Sequence, residues 1–262
     1  MLEKDNIFLR RYNEITGANV DALFEYGMPY FFGGRENLYG GAMKNYPNYS
    51  TKVFNYAHNT KFYRVNSRYI YGFDCYGYIQ WINNQVGLPD PIGLQSMITD
   101  HKYRATNHIY NGGTKWTSAS KDMPPYNELK DTLLIGDLLV TNDGSRHVMM
   151  YIGTLNDYGF TAEEVPELAE YLDYPLVIHC GPSPFYGARF EEMFQKYPDL
   201  YGKCSTTDGG VEVSIVGVPQ QAFPYHEHVQ LHDYDYFLID DGNYMLSARY
   251  IDTATSFCWF RQ

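Results

Sequence analysis

Two apolar runs that flank a turn sequence constrain the fold of this chain more than any other feature. The first run covers residues 133–140 and the second covers residues 147–153, with Asn142, Asp143 and Gly144 between them. An Asn-Asp-Gly turn between two apolar runs is typical of a β-hairpin. The sequence therefore predicts two antiparallel strands, the second of which begins at His147.

The alternation of side chains along the predicted strands determines the sheet face on which two histidines lie. Successive side chains point to opposite faces of a sheet, so His147 shares a face with Met149. A third apolar run, residues 176–180, places His179 on the same face as Val177. Neighbouring antiparallel strands bring two such side chains within hydrogen-bond distance of each other. Later runs predict further strands that complete a sheet or barrel, at residues 210–218, 234–240 and 254–260.

Residues 75–86 have the pattern of an amphipathic helix. Asp74 is a preferred N-cap residue, Gly87 is a preferred residue after a helix, and Pro89 prevents continuation. Cys75 therefore lies in the first turn, where unpaired N–H groups and the helix dipole stabilise a thiolate. The apolar residues recur at helical spacing: Tyr78, Ile79, Ile82 and Val86.

Cys75, His147 and His179 have the residue types that nucleophilic catalysis needs. A thiol nucleophile requires a base to take its proton, and the base requires a third group to fix its orientation. A long sequence gap between the three is no obstacle, because the fold brings them together. The alternative is that Cys75 is a small buried hydrophobic residue and that each histidine is an ordinary, partly buried side chain.

Four short motifs occur in one order along the chain: residues 27–34 (GMPYFFGG), 73–77 (FDCYG), 136–138 with 147–153 (GDL and HVMMYIG), and 178–179 (IH). They resemble the G-x-P-Y-x-W-G-G, F-D-C-S-G, G-D-L with H-V-G-I-Y-I-G, and I-H motifs of the NlpC-type papain-like cysteine peptidases. Members of that family cut bacterial cell-wall peptides. The resemblance implies an α+β, papain-like domain in which the nucleophile helix packs on an antiparallel sheet.

The resemblance also implies a role for each motif residue. Cys75 is the nucleophile of a thioester mechanism, His147 is the general base and then the acid, and His179 orients His147. The Cys75 backbone N–H binds the oxyanion, and the Tyr30 hydroxyl lies close to it. Asp74 helps to bind a free α-amine on the substrate. The scissile bond typical of the family joins γ-D-glutamate to a diamino acid, and its hydrolysis requires no cofactor.

Two residues depart from the family motifs, namely Tyr76 in place of the serine after the cysteine and Phe32 in place of the tryptophan. Because that serine assists recognition of the substrate amino terminus, the resemblance gives Tyr76 a substrate-binding position but leaves the preferred peptide open. One alternative is an N-acetylmuramoyl-L-alanine amidase, or another amidase, that uses the same three residues. A second alternative is a catalytically inert module that binds glycan or peptide.

Composition restricts the partners of the chain. The net charge of −11 over 262 residues argues against nucleic acid, because binding to phosphates needs a basic surface. No apolar stretch reaches the length of a membrane-spanning helix, and the first residues lack the pattern of a signal peptide. We expect a secreted or cell-envelope protein whose signal peptide is absent from this chain, with cytoplasmic recycling as the alternative. No pattern in the sequence predicts an oligomeric state.

The simplest organisation is one domain, residues 1–262, with insertions near 36–68, 89–131 and 154–174. The last of these holds six acidic residues without Lys or Arg, which predicts a solvated helical insertion. His226, His228 and His232 form a further cluster, predicted to share one strand face. Zinc binding is one interpretation of this cluster, but exposed strand histidines explain it adequately, so no metal site is predicted.

Overall fold

A computed structural model describes residues 74–86, 116–117, 123–142, 147–181, 210–229, 232–239, 244–249 and 256–261. The chain divides into two compact units. One comprises Met1–Arg10, Pro89–His179 and Glu212–Gln262, and the other comprises Arg11–Leu88 and Cys180–Val211. The single-domain organisation stays a prediction, and the insertion near 36–68 lies outside the described residues.

In the described residues, nine strands form one sheet with the order β1-β9-β2-β3-β4-β5-β8-β7-β6. The predicted hairpin is confirmed, because β2 and β3 pair antiparallel with Thr141 opposite His147. The strands are β1 (Trp116–Thr117), β2 (Leu138–Asn142), β3 (His147–Thr154), β4 (Pro175–Gly181), β5 (Gly210–Val216), β6 (Tyr225–Val229), β7 (His232–Ile239), β8 (Tyr244–Arg249) and β9 (Ser256–Phe260).

The sheet is mixed, whereas the family resemblance implied an antiparallel one. Strands β5 and β8 run parallel, with Ser214 opposite Ser247. The chain leaves β5, forms the antiparallel β6–β7 hairpin at the sheet edge and returns as β8. Parallel neighbours need a long crossover, and the β6–β7 hairpin lies within it. The described residues form one α-helix, several short 3-10 helices and a sheet, which is the composition of an α+β protein.

One apolar cluster covers a face of the sheet in the first unit. It includes Leu139 on β2 with Met149 on β3, which lie opposite each other. Two residues from the 3-10 helix Tyr126–Asp131 and the turn after it, Leu129 and Leu133, pack against these strands. Full burial of a side chain of this size contributes about 1.5–3 kcal/mol. The remaining buried members are Tyr151, Val177, Val216, Phe257 and Trp259.

Asp137, the acidic residue of the GDL motif, connects two parts of the first unit. Its carboxylate accepts a hydrogen bond from the Leu134 backbone N–H at 3.0 Å. It also accepts two from the Arg261 guanidinium, each at 3.0 Å, and that guanidinium donates to the Thr132 carbonyl. Asp137 therefore joins the turn before β2 to the residue after β9. Its carboxylate can be buried because these hydrogen bonds replace those with water.

The predicted helical insertion between β3 and β4 consists of two 3-10 helices, Asn156–Tyr158 and Pro166–Tyr171. Proline suits the first position of such a helix, because the N–H it lacks has no intrahelical partner there. Asp157 anchors the start of this segment by accepting hydrogen bonds from the backbone N–H and the hydroxyl of Thr154. Five of its six acidic residues are exposed, as the sequence predicted, whereas Asp173 is partly exposed and forms an ion pair with Lys130.

The second unit contains the helix α1 (Cys75–Val86), with the bounds that the sequence predicts. Its buried residues include the apolar Tyr78 and Ile79, as expected, but also the polar Gln80 and Asn83. Burial therefore extends beyond the single apolar stripe that the spacing indicates. Among the helices of the described ranges, none has both the length and the apolar character needed to cross a membrane.

The close approach of Gly217 to Tyr126 gives a first prediction. Gly217 has φ +88°, and a Cβ atom there would lie 2.5 Å from Cγ and Cδ2 of the Tyr126 ring. Gly136 has φ +102° but no atom within 4 Å of such a Cβ. We expect Gly217→Ala to lower the free energy of unfolding by about 2–5 kcal/mol, because left-handed strain and overlap add. Gly136→Ala should lower it by only about 1–2 kcal/mol.

Urea denaturation of the two glycine variants, of Tyr126→Ala and of Gly217→Ala/Tyr126→Ala measures these free energies. Relative to Tyr126→Ala alone, the added glycine substitution should then cost no more than Gly136→Ala does. Equal losses for the two single glycine variants would show that the ring contact does not constrain this position.

Candidate active site

The two predicted histidines meet on the face of the sheet that carries the apolar cluster. His147 Nε2 lies 2.8 Å from His179 Nδ1, with the two rings edge to face. Met150 lies opposite Ile178, so the histidines are diagonal neighbours on adjacent strands, within reach of aromatic side chains. Both are buried, at 5% and 1% exposure. The prediction that β3 and β4 bring these side chains together is confirmed.

The choice of ring nitrogens determines what His147 can do. Its Nε2 takes part in the hydrogen bond to His179. Nδ1 is therefore the nitrogen with which His147 can accept a proton from a nucleophile. The second nitrogen of His179, Nε2, lies 2.7 Å from the Ser214 hydroxyl. His179 thus connects His147 to a further polar group deeper in the sheet.

Burial sets the charge state of the two histidines. Desolvation lowers the pKa of His147 well below its usual value, and the nearby Arg249 charge lowers it further. Desolvation likewise lowers the pKa of His179, with His147 and Arg249 acting in the same direction. An ionised Glu212 opposes this effect at His179, but burial dominates because both rings lie in the interior. Both imidazoles are therefore neutral at pH 7, as a general base must be before it accepts a proton.

Ser214 and Ser247 continue the line of hydrogen bonds from His179. Their hydroxyl oxygens are 2.5 Å apart across the parallel pair β5–β8. The Ser247 hydroxyl donates to the Val213 carbonyl at 3.4 Å. We name the set His147, His179, Ser214 and Ser247 the polar row. Its four side chains are all buried.

Glu212 is the buried carboxyl group next to the polar row. Its Oε1 lies 3.4 Å from His179 Nδ1. Desolvation raises the pKa of Glu212 to about 7, although the Arg249 charge and a hydrogen bond with Ser247 act in the opposite direction. A carboxyl group with a pKa near neutrality, beside a histidine pair, is typical of functional sites.

Sequence reasoning missed Glu212, Ser214 and Ser247. In residues 211–215, polar and apolar residues alternate, which usually indicates a strand with one solvated face. The polar face is buried here because it continues the histidine face of β4 across the sheet. The signal that could have found these residues is the same alternation, combined with the knowledge that β5 neighbours β4.

Cys75 is the first residue of α1, as predicted. Asp74 is the N-cap, because its Oδ1 accepts a hydrogen bond from the Gly77 N–H at 2.8 Å and its carbonyl accepts one from Tyr78 N–H. The Cys75 side chain is partly exposed, and among the described cysteines it forms no disulfide. A thiol at this position faces the positive end of the helix dipole.

The structure describes two of the three predicted substrate-binding or oxyanion residues. Asp74 is 8% exposed and serves as the helix cap, so its predicted contact with a substrate amine stays a prediction. Tyr76 is 1% exposed, and its ring is an interior side chain in this structure. Its predicted role in recognition also stays a prediction. Tyr30 lies outside the described residues.

The histidine cluster near the sheet edge differs from the expectation in one respect. His226 and His228 lie on β6, but His232 begins β7 and pairs with Val229. The three therefore do not share one strand. His226 Nδ1 lies 2.9 Å from a carboxylate oxygen of Asp235. Within the described ranges, no group of three or more His, Cys, Asp or Glu residues is arranged to hold a metal ion.

A neutral, buried imidazole that is held by a second imidazole can act as a general base and then as a general acid. Comparison of the chain with protein-family models, with curated proteins and with solved structures finds no match. The functional conclusion therefore rests on the residues of the chain and their geometry.

The raised pKa of Glu212 gives a second prediction, on stability. Its folded-state pKa rises from 4.5 to about 7, so its contribution to stability is complete below pH 4.5 and is lost as the pH rises to about 7. The loss amounts to about 3 kcal/mol, since each pKa unit corresponds to about 1.4 kcal/mol. Glu212→Gln does not titrate. Relative to wild type, the variant should gain up to about 3 kcal/mol in unfolding free energy between pH 4.5 and 7.5.

Urea denaturation of both proteins at several pH values in this range measures the difference. A difference that stays constant with pH would contradict the raised pKa.

Proposed function

We propose that this chain is a cysteine peptidase that hydrolyses peptidoglycan stem peptides, with a papain-like, NlpC-type fold. Cys75 is the nucleophile, His147 is the general base and acid, and His179 orients His147. The observation that carries the proposal is the 2.8 Å hydrogen bond between His147 Nε2 and His179 Nδ1, made by two buried rings. The start of α1 at Cys75, capped by Asp74, supports the role of the thiol.

The first half of the proposed reaction forms a thioester. His147 Nδ1 takes the Cys75 proton, and the thiolate sulfur attacks the carbonyl carbon of the scissile amide. The carbon–nitrogen bond then breaks, and the amine leaves with the proton that His147 returns. The electron pair of the broken bond stays on the amine nitrogen. The Cys75 backbone N–H stabilises the oxyanion that forms between these two events.

The second half hydrolyses the thioester. A water molecule gives one proton to His147 Nδ1, and its oxygen attacks the thioester carbon. The carbon–sulfur bond breaks, which releases a carboxylic acid, and the sulfur recovers the proton from His147. The enzyme returns to its starting state without a cofactor, because no net oxidation or reduction occurs.

The proposed substrate follows from the motif around the nucleophile. Residues 73–77 resemble the family motif that helps to bind a free α-amine of the substrate. We therefore propose the γ-D-glutamyl–diamino acid bond as the scissile bond. Tyr76, in place of the family serine, makes the identity of the stem peptide the most open part of the proposal. Such a substrate implies a secreted or cell-envelope location.

A third prediction concerns the nucleophile. Incubation of a panel of muropeptides and free stem peptides with wild type should yield products cut at the γ-D-glutamyl bond, identified by mass spectrometry. Cys75→Ala should lower the rate by at least roughly 10³-fold, because no other group takes the place of the sulfur. Cys258→Ala is the matched control, since Cys258 is buried on β9 and burial raises its pKa to about 12.

The other outcomes separate the alternatives. Products cut at the muramoyl–alanine amide would assign an amidase with the same residues. Cleavage that persists in Cys75→Ala would refute the proposed nucleophile. Absence of cleavage by wild type over the whole panel, together with measurable binding, would favour an inert binding module.

A further inference from the structure

The hydrogen bonds of the polar row all run in one direction, which the Val213 carbonyl at the end of the row determines. The Val213 carbonyl can only accept a hydrogen bond, and Ser247 lies 3.4 Å from it. Ser247 has one hydroxyl proton, and the bond to the Val213 carbonyl directs that proton away from Ser214. The Ser247 oxygen must therefore accept from Ser214, whose hydroxyl lies 2.5 Å away.

The direction continues from Ser214 to the histidines. The single hydroxyl proton of Ser214 points to Ser247, so its oxygen accepts from His179 Nε2 at 2.7 Å. A neutral imidazole with its proton on Nε2 has a lone pair on Nδ1. His179 Nδ1 therefore accepts the hydrogen bond of 2.8 Å from His147 Nε2–H. In neutral His147, the lone pair then lies on Nδ1.

We propose that Ser214 and Ser247 are positioning residues that hold His147 in the tautomer whose Nδ1 accepts a proton. Reversal of the row would place a proton on His147 Nδ1, and the ring could then not act as a base from that nitrogen. Reversal would also leave the Val213 carbonyl, a buried acceptor, without its hydroxyl donor. This inference rests on the proposed function for the identity of the nucleophile. The tautomer rests on the hydrogen bonds of the polar row, which must outweigh the Glu212 carboxyl group, whose Oε1 lies 3.4 Å from His179 Nδ1.

Burial makes the direction of the row stable. All four side chains are at most 5% exposed, so water does not readily replace a missing donor or acceptor. The parallel register of β5 and β8 places Ser214 directly opposite Ser247. The two hydroxyl groups are therefore held by strand pairing and not by flexible side chains.

The tautomers can be observed directly in the full chain labelled with ¹⁵N-histidine. Long-range ¹H–¹⁵N correlation spectra distinguish protonated from unprotonated ring nitrogens, and a His147→Gln spectrum assigns the signals of His147. At pH 7.5 we expect an unprotonated Nδ1 and a protonated Nε2 on both His147 and His179. A proton on Nδ1 of neutral His147 would overturn the inference.

Ser214→Ala removes the link between His179 and Ser247. We expect His147 in this variant to show a mixture of both tautomers and turnover to fall about tenfold or more, with little change in KM. Ser214→Thr keeps the hydroxyl and should restore the single tautomer. Thr141→Val is the matched control, because the Thr141 hydroxyl is buried on the strand next to His147 but has no hydrogen-bond partner among the described residues.

The results separate this inference from the proposed function. The expected tautomers without cleavage of any substrate would support the polar row and count against the peptidase. Cleavage together with a reversed tautomer, or with a Ser214→Ala spectrum identical to that of wild type, would overturn the positioning role alone. If Ser214→Ala does not fold, the wild-type spectrum still decides the direction of the row.

Discussion

The hydrogen bond between His147 and His179 depends on one constraint, the register of β3 against β4. A shift of one residue would turn His179 to the opposite face of the sheet. Val177 prevents this shift, because it belongs to the apolar cluster on the same face of β4 and would leave the core together with His179. The packing of the core therefore sets the geometry of the candidate base, and the two cannot be changed independently.

The same face carries an apolar region and a polar one. Buried polar side chains are costly unless they form hydrogen bonds, and the polar row meets this condition through strands β3, β4, β5 and β8. The parallel pairing of β5 with β8 makes one of these hydrogen bonds possible, because it places Ser214 opposite Ser247. The mixed topology of the sheet therefore determines which side chains are neighbours in the polar row.

The sequence was informative where the determinants are local. Asp74 as a cap, α1 from Cys75 and the hairpin that begins β3 at His147 all follow from short patterns, and the structure agrees with them. Ser214 and Glu212 were missed, since the burial of a polar strand face depends on its neighbours in space. The position of β8 beside β5 likewise depends on pairings between residues far apart in the chain, which no local pattern encodes.

The central claim is that His147 acts on the thiol of Cys75. The pH dependence of alkylation of Cys75 by iodoacetamide, followed by peptide mapping in wild type and in His147→Gln, tests it most directly. In wild type, half-maximal reactivity should fall below the value of about 8.5 that an ordinary thiol shows. In His147→Gln it should move back toward that value, whereas coincident profiles for the two proteins would contradict the claim.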